Sequence, residues 1–208
     1  MTIKSKFRVT DPGIFWSLQT IDQLGEYSFS APQFDEIDDV YLDTKNRRLL
    51  AGGYYCRQRS RAKGCSISLI EFESIDGVDQ RSKQWDLILK RNNHNPNDWP
   101  ESKVRKKVLK IVSDKKLRPI FTLHQTRISR MISKWDQVIA RAIIDNVSVD
   151  FEGNDQQFKT VKIVILIPDD NENHLETLTA DFQAKWQLET ESRSKFEQII
   201  LLELDERH

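Results

Sequence analysis

The chain has 208 residues, enough to bury one substantial core, and reads as a single domain over residues 1–208. Its 32 Lys and Arg balance 32 Asp and Glu, so no global field draws it to nucleic acid or an anionic membrane, and any polyanion site must be local. Cys56 and Cys65 lack a second pair or a His cluster at metal-ligand spacing, the opening MTIKSKFRV lacks a signal peptide's apolar run, and the stretch from Val161 to Pro168 is too short for a bilayer; a reducing, cytoplasmic setting without membrane insertion is expected.

Residues 2–10 alternate as a strand, with Lys4, Lys6 and Arg8 on one face and Ile3, Ser5, Phe7 and Val9 on the other. Asp11 and Pro12 signal a helix start, and Ile14, Leu18 and Ile21 keep helical spacing until Gly25. Extended segments at 36–43, 54–60, 65–73 and 84–90 are bounded by turn residues and form an antiparallel meander. After the turn cluster NNHNPNDWP, Val104, Val108, Ile111 and Val112 mark an amphipathic helix whose basic run VRKKVLK reads as a solvated face. Strands follow at 119–133, 138–145 and 158–167, the last after the polar turn EGNDQQ. Two helices then carry Leu175, Leu178 and Phe182, and Phe196, Ile199 and Ile200.

The expected fold class is α+β. Eight antiparallel strands can cover their apolar faces by closing, or nearly closing, into a barrel with helices packed outside. An open sheet with four helices on one face is the competing arrangement.

Basic residues recur at period 2 on several strands: Lys4, Lys6 and Arg8 on the first, Arg57 and Arg59 on another, with Lys90, Arg127, Arg141 and Lys162 on four more. If these faces converge they form a cationic channel, in which guanidinium groups bind phosphate oxygens bidentately and lysines add point charge. The same residues also suit outward, solvated strand faces. His94, His124 and His174 have no Cys or Ser partner in a recognisable motif. Gly52-Gly53 precedes a strand rather than a helix and is no phosphate loop, and the scattered tryptophans read as packing anchors.

The segment VYLDTKNRRLLAGGYYCRQR (40–59) resembles the CYTH, or triphosphate tunnel, family's aromatic-x-Asp-Thr strand end, Leu-rich turn and L-R-x-R strand, with Cys56 in place of the leucine. WDLILK (85–90) is similar to its W-x-L-T-L-K strand, LRPIFTLHQTR (117–127) to its Pro-containing strand with a terminal Arg, and IIDNV (143–147) to its apolar strand ending in Asp. TVKIV (160–164) falls where its E-x-E strand lies, and SRSKFEQII (192–200) resembles its S-K-aromatic-E helix opening. The resemblance runs in order through nearly the whole chain. It implies a triphosphate tunnel fold and a phosphate-rich anion, small or polymeric, held by Lys6, Arg57, Arg59, Lys90 and Arg127; Lys4, Arg141 and Lys162 of the basic strand faces are the further phosphate-binding candidates.

Two departures bear on chemistry. At the family's E-x-E-x-K start stand Thr2, Lys4 and Lys6, and at its second acidic cluster stand Thr160, Lys162 and Val164, so the metal-binding carboxylates are replaced. Mg²⁺ needs oxygen ligands and is repelled by amines. No cofactor is therefore expected, with Mg²⁺ or Mn²⁺ required only if a new site exists; Glu71 and Glu73, at i, i+2 on a strand that looks inserted relative to the family, are the candidates. Three readings follow: a metal-independent triphosphate or polyphosphate binder, a metal-dependent triphosphatase or related phosphotransfer enzyme acting on inorganic, nucleoside or thiamine triphosphate, and a non-catalytic protein-interaction scaffold in which Lys4 and Lys162 are salt-bridged.

Overall fold

The computed structural model describes residues 4–62, 64–71, 83–151, 154–166 and 172–205. In chain order the elements are β1 (Lys4–Val9), α1 (Pro12–Thr20), β2 (Gln23–Leu24), β3 (Tyr27–Phe29), β4 (Gln33–Asp43), α2 (Arg48–Ala51), β5 (Tyr54–Arg61), β6 (Gly64–Glu71) and β7 (Gln84–Leu89). A short 3-10 turn (Pro96–Asp98) leads to α3 (Lys103–Val112), β8 (Arg118–Lys134), β9 (Gln137–Phe151), β10 (Asn154–Ile165), α4 (Glu172–Trp186), β11 (Glu189–Thr190) and α5 (Lys195–Asp205). All eight expected strands are present, with three short ones and α2 in addition. No helix among the described residues is long and apolar enough to cross a membrane.

The chain divides into two compact units, the first made of Met1–Asp35, Thr126–Val147 and Phe158–His208, the second of Glu36–Gln125 and Ser148–Gln157. In the first, the strand order is β11-β1-β10-β9-β8, with β3 on β8. One sheet face buries Phe7, Val9, Ile128, Ile132, Ala142, Ile144, Val161 and Ile163 against Leu18 of α1 and Leu178 and Phe182 of α4. Phe7 stacks on Phe182 with ring centroids 6.1 Å apart. The period-2 pattern thus sends Lys4, Lys6 and Lys162 to the opposite face. Asp11 caps α1 by accepting from the Gly13 and Ile14 amides, with Pro12 in the first turn. This helix ends at Thr20, earlier than Gly25 implied, because Gly25 at φ +56° serves the β2–β3 hairpin instead of a helix cap. Arg130, only 2% exposed, donates to the Gln19 and Ser30 carbonyls and ties that segment down.

In the second unit the order is β8-β4-β5-β6-β7. Leu42, Cys56, Ile67, Leu69 and Leu89 pack against Val104, Val108 and Val112 of α3. The basic face of α3 is more than solvated, since the Lys107 ammonium lies 4.1 Å from the Trp85 ring centroid. In each unit the hydrogen-bonded path is open, ending on β11 and on β7, so among the described residues hydrogen bonding does not close the sheet into a ring. Strand β9 runs six residues past the expected Asp145 because buried Val147 and Val149 continue the alternation.

Candidate anion site

Within the first unit, β1 and β10 pair so that Lys6 lies directly opposite Lys162, and Lys4 opposite Val164. Opposed residues of an antiparallel pair share a face, so the two lysines project from neighbouring positions on one face. Lys6 and Lys162 are half-buried and Lys4 is exposed. Loss of water on burial, then the charges of Arg127 and Lys4, bring the Lys162 amine down to about 8. Burial likewise takes Lys6 down to about 8, against the pull of Glu191 and Glu197.

Asp145 on β9, 4% exposed, accepts from Arg127 Nε at 2.7 Å, Arg127 Nη2 at 2.9 Å and Lys195 Nζ at 2.6 Å. Burial alone would raise this carboxyl, but the hydrogen bonds and charges of Arg127 and Lys195 hold it down at about 2. Its charge is therefore engaged, and no salt bridge within 4.0 Å joins Lys4, Lys6 or Lys162 to an acid among the described residues. Arg141, two turns of alternation before Asp145 on the same face of β9, is half-buried, and its Nε has no hydrogen-bond partner. Sequence reading missed Lys195 as a site residue, although it is the lysine of the S-K-aromatic-E helix opening.

Within the second unit, Arg57 and Arg59 share a face of β5 with Arg61. With Ser66, Ser68, Asp86 and Ile88 they line a hollow of about 370 Å³. These arginines are not bare cations. Buried Asp39, opposite Arg59 on β4, accepts from Arg59 Nε and Nη2, both at 2.6 Å, and from Gln125 at 2.8 Å. Arg57 Nε is 3.9 Å from the same carboxylate, and its Nη2 donates to Ser68 Oγ at 3.3 Å. Burial would raise Asp39, yet the Arg59 hydrogen bond and both guanidinium charges lower it. Arg59 is thus ion-paired in place, which the alternation of basic residues alone did not reveal.

The remaining candidates stand elsewhere. Lys90 is exposed, follows the end of β7 at Leu89, and is not among the residues lining the hollow. Glu71 accepts from the Tyr54 hydroxyl at 3.0 Å and lies 3.8 Å from Lys83, so its carboxylate already has partners; Glu73 and Thr2 lie outside the described residues. No cluster of three His, Cys, Asp or Glu side chains able to hold a metal occurs among the described residues. The donor set does not fit a hard cation, since ammonium groups occupy positions 4 and 162. His124 pairs with Asp38 at 2.7 Å, and His94 approaches Gln58 at 3.3 Å.

The profile of the family described as CYTH domain matches residues 1–200. Among solved structures, a Hippeastrum protein described as an adenylyl cyclase with a dominant triphosphatase activity superposes with a TM-score of 0.67 at 15% identity, covering 94% of this chain and 93% of that one. A Bacillus halodurans protein described as an adenylate cyclase gives 0.59 at 13% identity over 95% and 96% of the two chains. The Mimivirus capping enzyme triphosphatase gives 0.50 at 9% identity, with 88% of each chain covered. At these identities the likeness is one of fold, and it is the antiparallel α+β fold expected from the sequence. No curated protein matches the chain.

Proposed function

The chain belongs to the CYTH domain family, and from that premise we propose that it binds a triphosphate or longer polyphosphate anion through Lys4, Lys6, Lys162 and Arg127 of its first unit, without the metal-dependent catalysis usual in the family. The observation that carries this reading is the direct opposition of Lys6 and Lys162, with Lys4 beside them and Asp145 already engaged by Arg127 and Lys195. Such a group of cations is stabilised by a ligand that brings excess negative charge, and phosphate oxygens meet both guanidinium and ammonium donors. Arg57 and Arg59 are the phosphate-binding candidates of the second unit, and Arg141, with its unpaired Nε, is a further one in the first. The buried free thiols Cys56 and Cys65 suit a reducing, cytoplasmic setting.

A second reading is a metal-dependent triphosphatase, favoured by the activities described for the Hippeastrum and Mimivirus proteins. It requires oxygen ligands where this chain presents Lys4 and Lys162. Thermal unfolding with tripolyphosphate, with and without Mg²⁺, separates the two. A ligand bound by the native state alone stabilises it by mass action, about 2.7 kcal/mol at a hundredfold excess over Kd. Binding of the anion raises the midpoint without metal and weakens as salt screens the charges. A rise that appears only with Mg²⁺ favours the enzyme. No rise under either condition removes both readings and leaves the interaction scaffold.

A further inference from the structure

The hollow of the second unit holds a hydroxyl bonded to a base. Arg57, Ser68 and Asp86 lie opposite one another in a line across β5, β6 and β7, and all three line the hollow of about 370 Å³. Ser68 Oγ donates to Asp86 Oδ1 at 2.7 Å and accepts from Arg57 Nη2 at 3.3 Å. Gln84 Nε2 donates in turn to both Asp86 oxygens, at 2.8 and 3.0 Å, and orients that carboxylate. A hydroxyl bonded to a base that a third group orients is the arrangement that activates a serine nucleophile. The other serine of the hollow lacks it, since Ser66 is opposite Ile88 where Ser68 is opposite Asp86. Arg59 and Arg61 extend the row of guanidinium groups along the same wall. Ser68 is only 2% exposed, so bulk water competes little at this position.

We propose that Ser68 is a phosphoryl acceptor, which takes the terminal phosphoryl group of a condensed phosphate held by Arg57 and its neighbouring arginines and becomes phosphoserine without a metal. This rests on reading Arg57 and Arg59 as phosphate ligands. Ser68 Oγ attacks the terminal phosphorus, forming an O–P bond while the bridging P–O bond breaks and its electron pair leaves with the diphosphate. The hydroxyl proton passes to Asp86 Oδ1, as an attacking hydroxyl gives its proton to a positioned carboxylate in phosphoryl transfer, and from there to the departing diphosphate. Arg57, already bonded to Oγ, stands where the charge of the transferring group develops. Hydroxyl and triphosphate become phosphoserine and diphosphate, with nothing oxidised or reduced.

Tripolyphosphate with a chelator present is the probe, and tandem mass spectrometry of the parent chain is the readout. One phosphoryl group is expected on Ser68, about tenfold above Ser66 in the same hollow, a margin smaller than one positioned base supplies. Ser68→Ala should lose the mark. Asp86→Asn keeps an acceptor but no base and should form it about a hundredfold more slowly, the low end for general-base catalysis; an unchanged melting temperature shows that each variant folds. A mark spread over other hydroxyls of the parent chain, a result needing no variant, overturns the proposal, as does an undiminished rate in Asp86→Asn. The thermal midpoint separates this step from the anion site. Tripolyphosphate that raises the midpoint and leaves no mark refutes the transfer and keeps the site. A mark on Ser68 with no midpoint rise supports the transfer and removes a stable polyphosphate complex at the lysines. Neither mark nor rise removes both.

Discussion

Lys6 and Lys162 stand directly opposite each other in the register of the β1–β10 pair, two like charges at facing positions of one sheet. Like charges directly opposed destabilise a sheet. Each amine titrates at about 8 in the fold rather than its ordinary 10.5, so between those values the unfolded chain binds more protons and stability rises with pH. The thiol of buried Cys56, pushed up to about 12, works in the opposite sense above pH 9, but it is common to variants and cancels in a difference. Lys162→Met should therefore be more stable than the parent at pH 7, with the advantage shrinking as pH climbs from 8 towards 10. Paired melting curves across that range check it; a difference that does not change with pH would show that Lys162 is well solvated.

Asp145 is the counterweight to the cations. Asp145→Asn removes the negative charge and one of the two oxygens that Arg127 and Lys195 share, and breaking a buried ion pair of this kind costs about 3–5 kcal/mol. The carboxyl's folded value of about 2 lies below its ordinary 3.8, so its contribution is complete above pH 3.8 and fades as pH falls through 2. Urea unfolding at pH 7 should show the full loss, and the gap between parent and variant should narrow between pH 4 and pH 2. Tripolyphosphate should recover part of the loss at pH 7 by supplying the missing negative charge.

What the sequence revealed and what it hid follow from range. Alternation in residues 4–9 correctly sorted Phe7 from Lys6, because period 2 is local and burial on one face enforces it. It could not show that Asp39 would meet Arg59, a pairing fixed by the register of β4 on β5, twenty residues apart. Lys195 was hidden for the same reason, since its partner Asp145 is fifty residues away. Short elements escaped because two or three residues carry no period: β2, β3 and β11 exist through their pairing partners alone. Asp43, by contrast, is a local signal: a carboxylate just before Thr44 forms turns by accepting from amides a few residues on.

That reading of Asp43 leads to a stability test. Its carboxylate accepts from the Thr44 amide at 2.7 Å, and from the Leu49 amide at 2.9 Å and the Leu50 amide at 3.0 Å, two of the free amides that open α2. Asp43→Ala orphans two buried donors and one part-buried donor and should cost about 2 kcal/mol, at the upper end for lost caps. Asp43→Asn keeps one acceptor oxygen and should cost roughly half as much. Denaturant midpoints of the two variants check the order; an Asn variant as unstable as Ala would mean that the charge, and not the acceptor, anchors the turn.

The exchange of acids for amines at positions 4 and 162 also admits reversal. Lys4 is opposite Val164, which places it diagonal to Lys162 on the same face, and diagonal neighbours in an antiparallel pair lie about 7–8 Å apart, within bridging reach of one cation and its waters. Lys4→Glu with Lys162→Glu therefore presents two carboxylates where the parent repels metal. Mn²⁺ at a hundredfold excess over Kd should stabilise the double variant by about 2.7 kcal/mol, a rise of roughly 5–10 °C in melting temperature for a chain of this size, and leave the parent unmoved. Tripolyphosphate binding without metal should fall at least tenfold in the same variant, because two charges that attract it now repel it. A variant that gains no metal response yet loses the anion would show that positions 4 and 162 govern charge alone. One that keeps the anion unchanged would place phosphate binding on Arg57 and Arg59, away from the lysine pair.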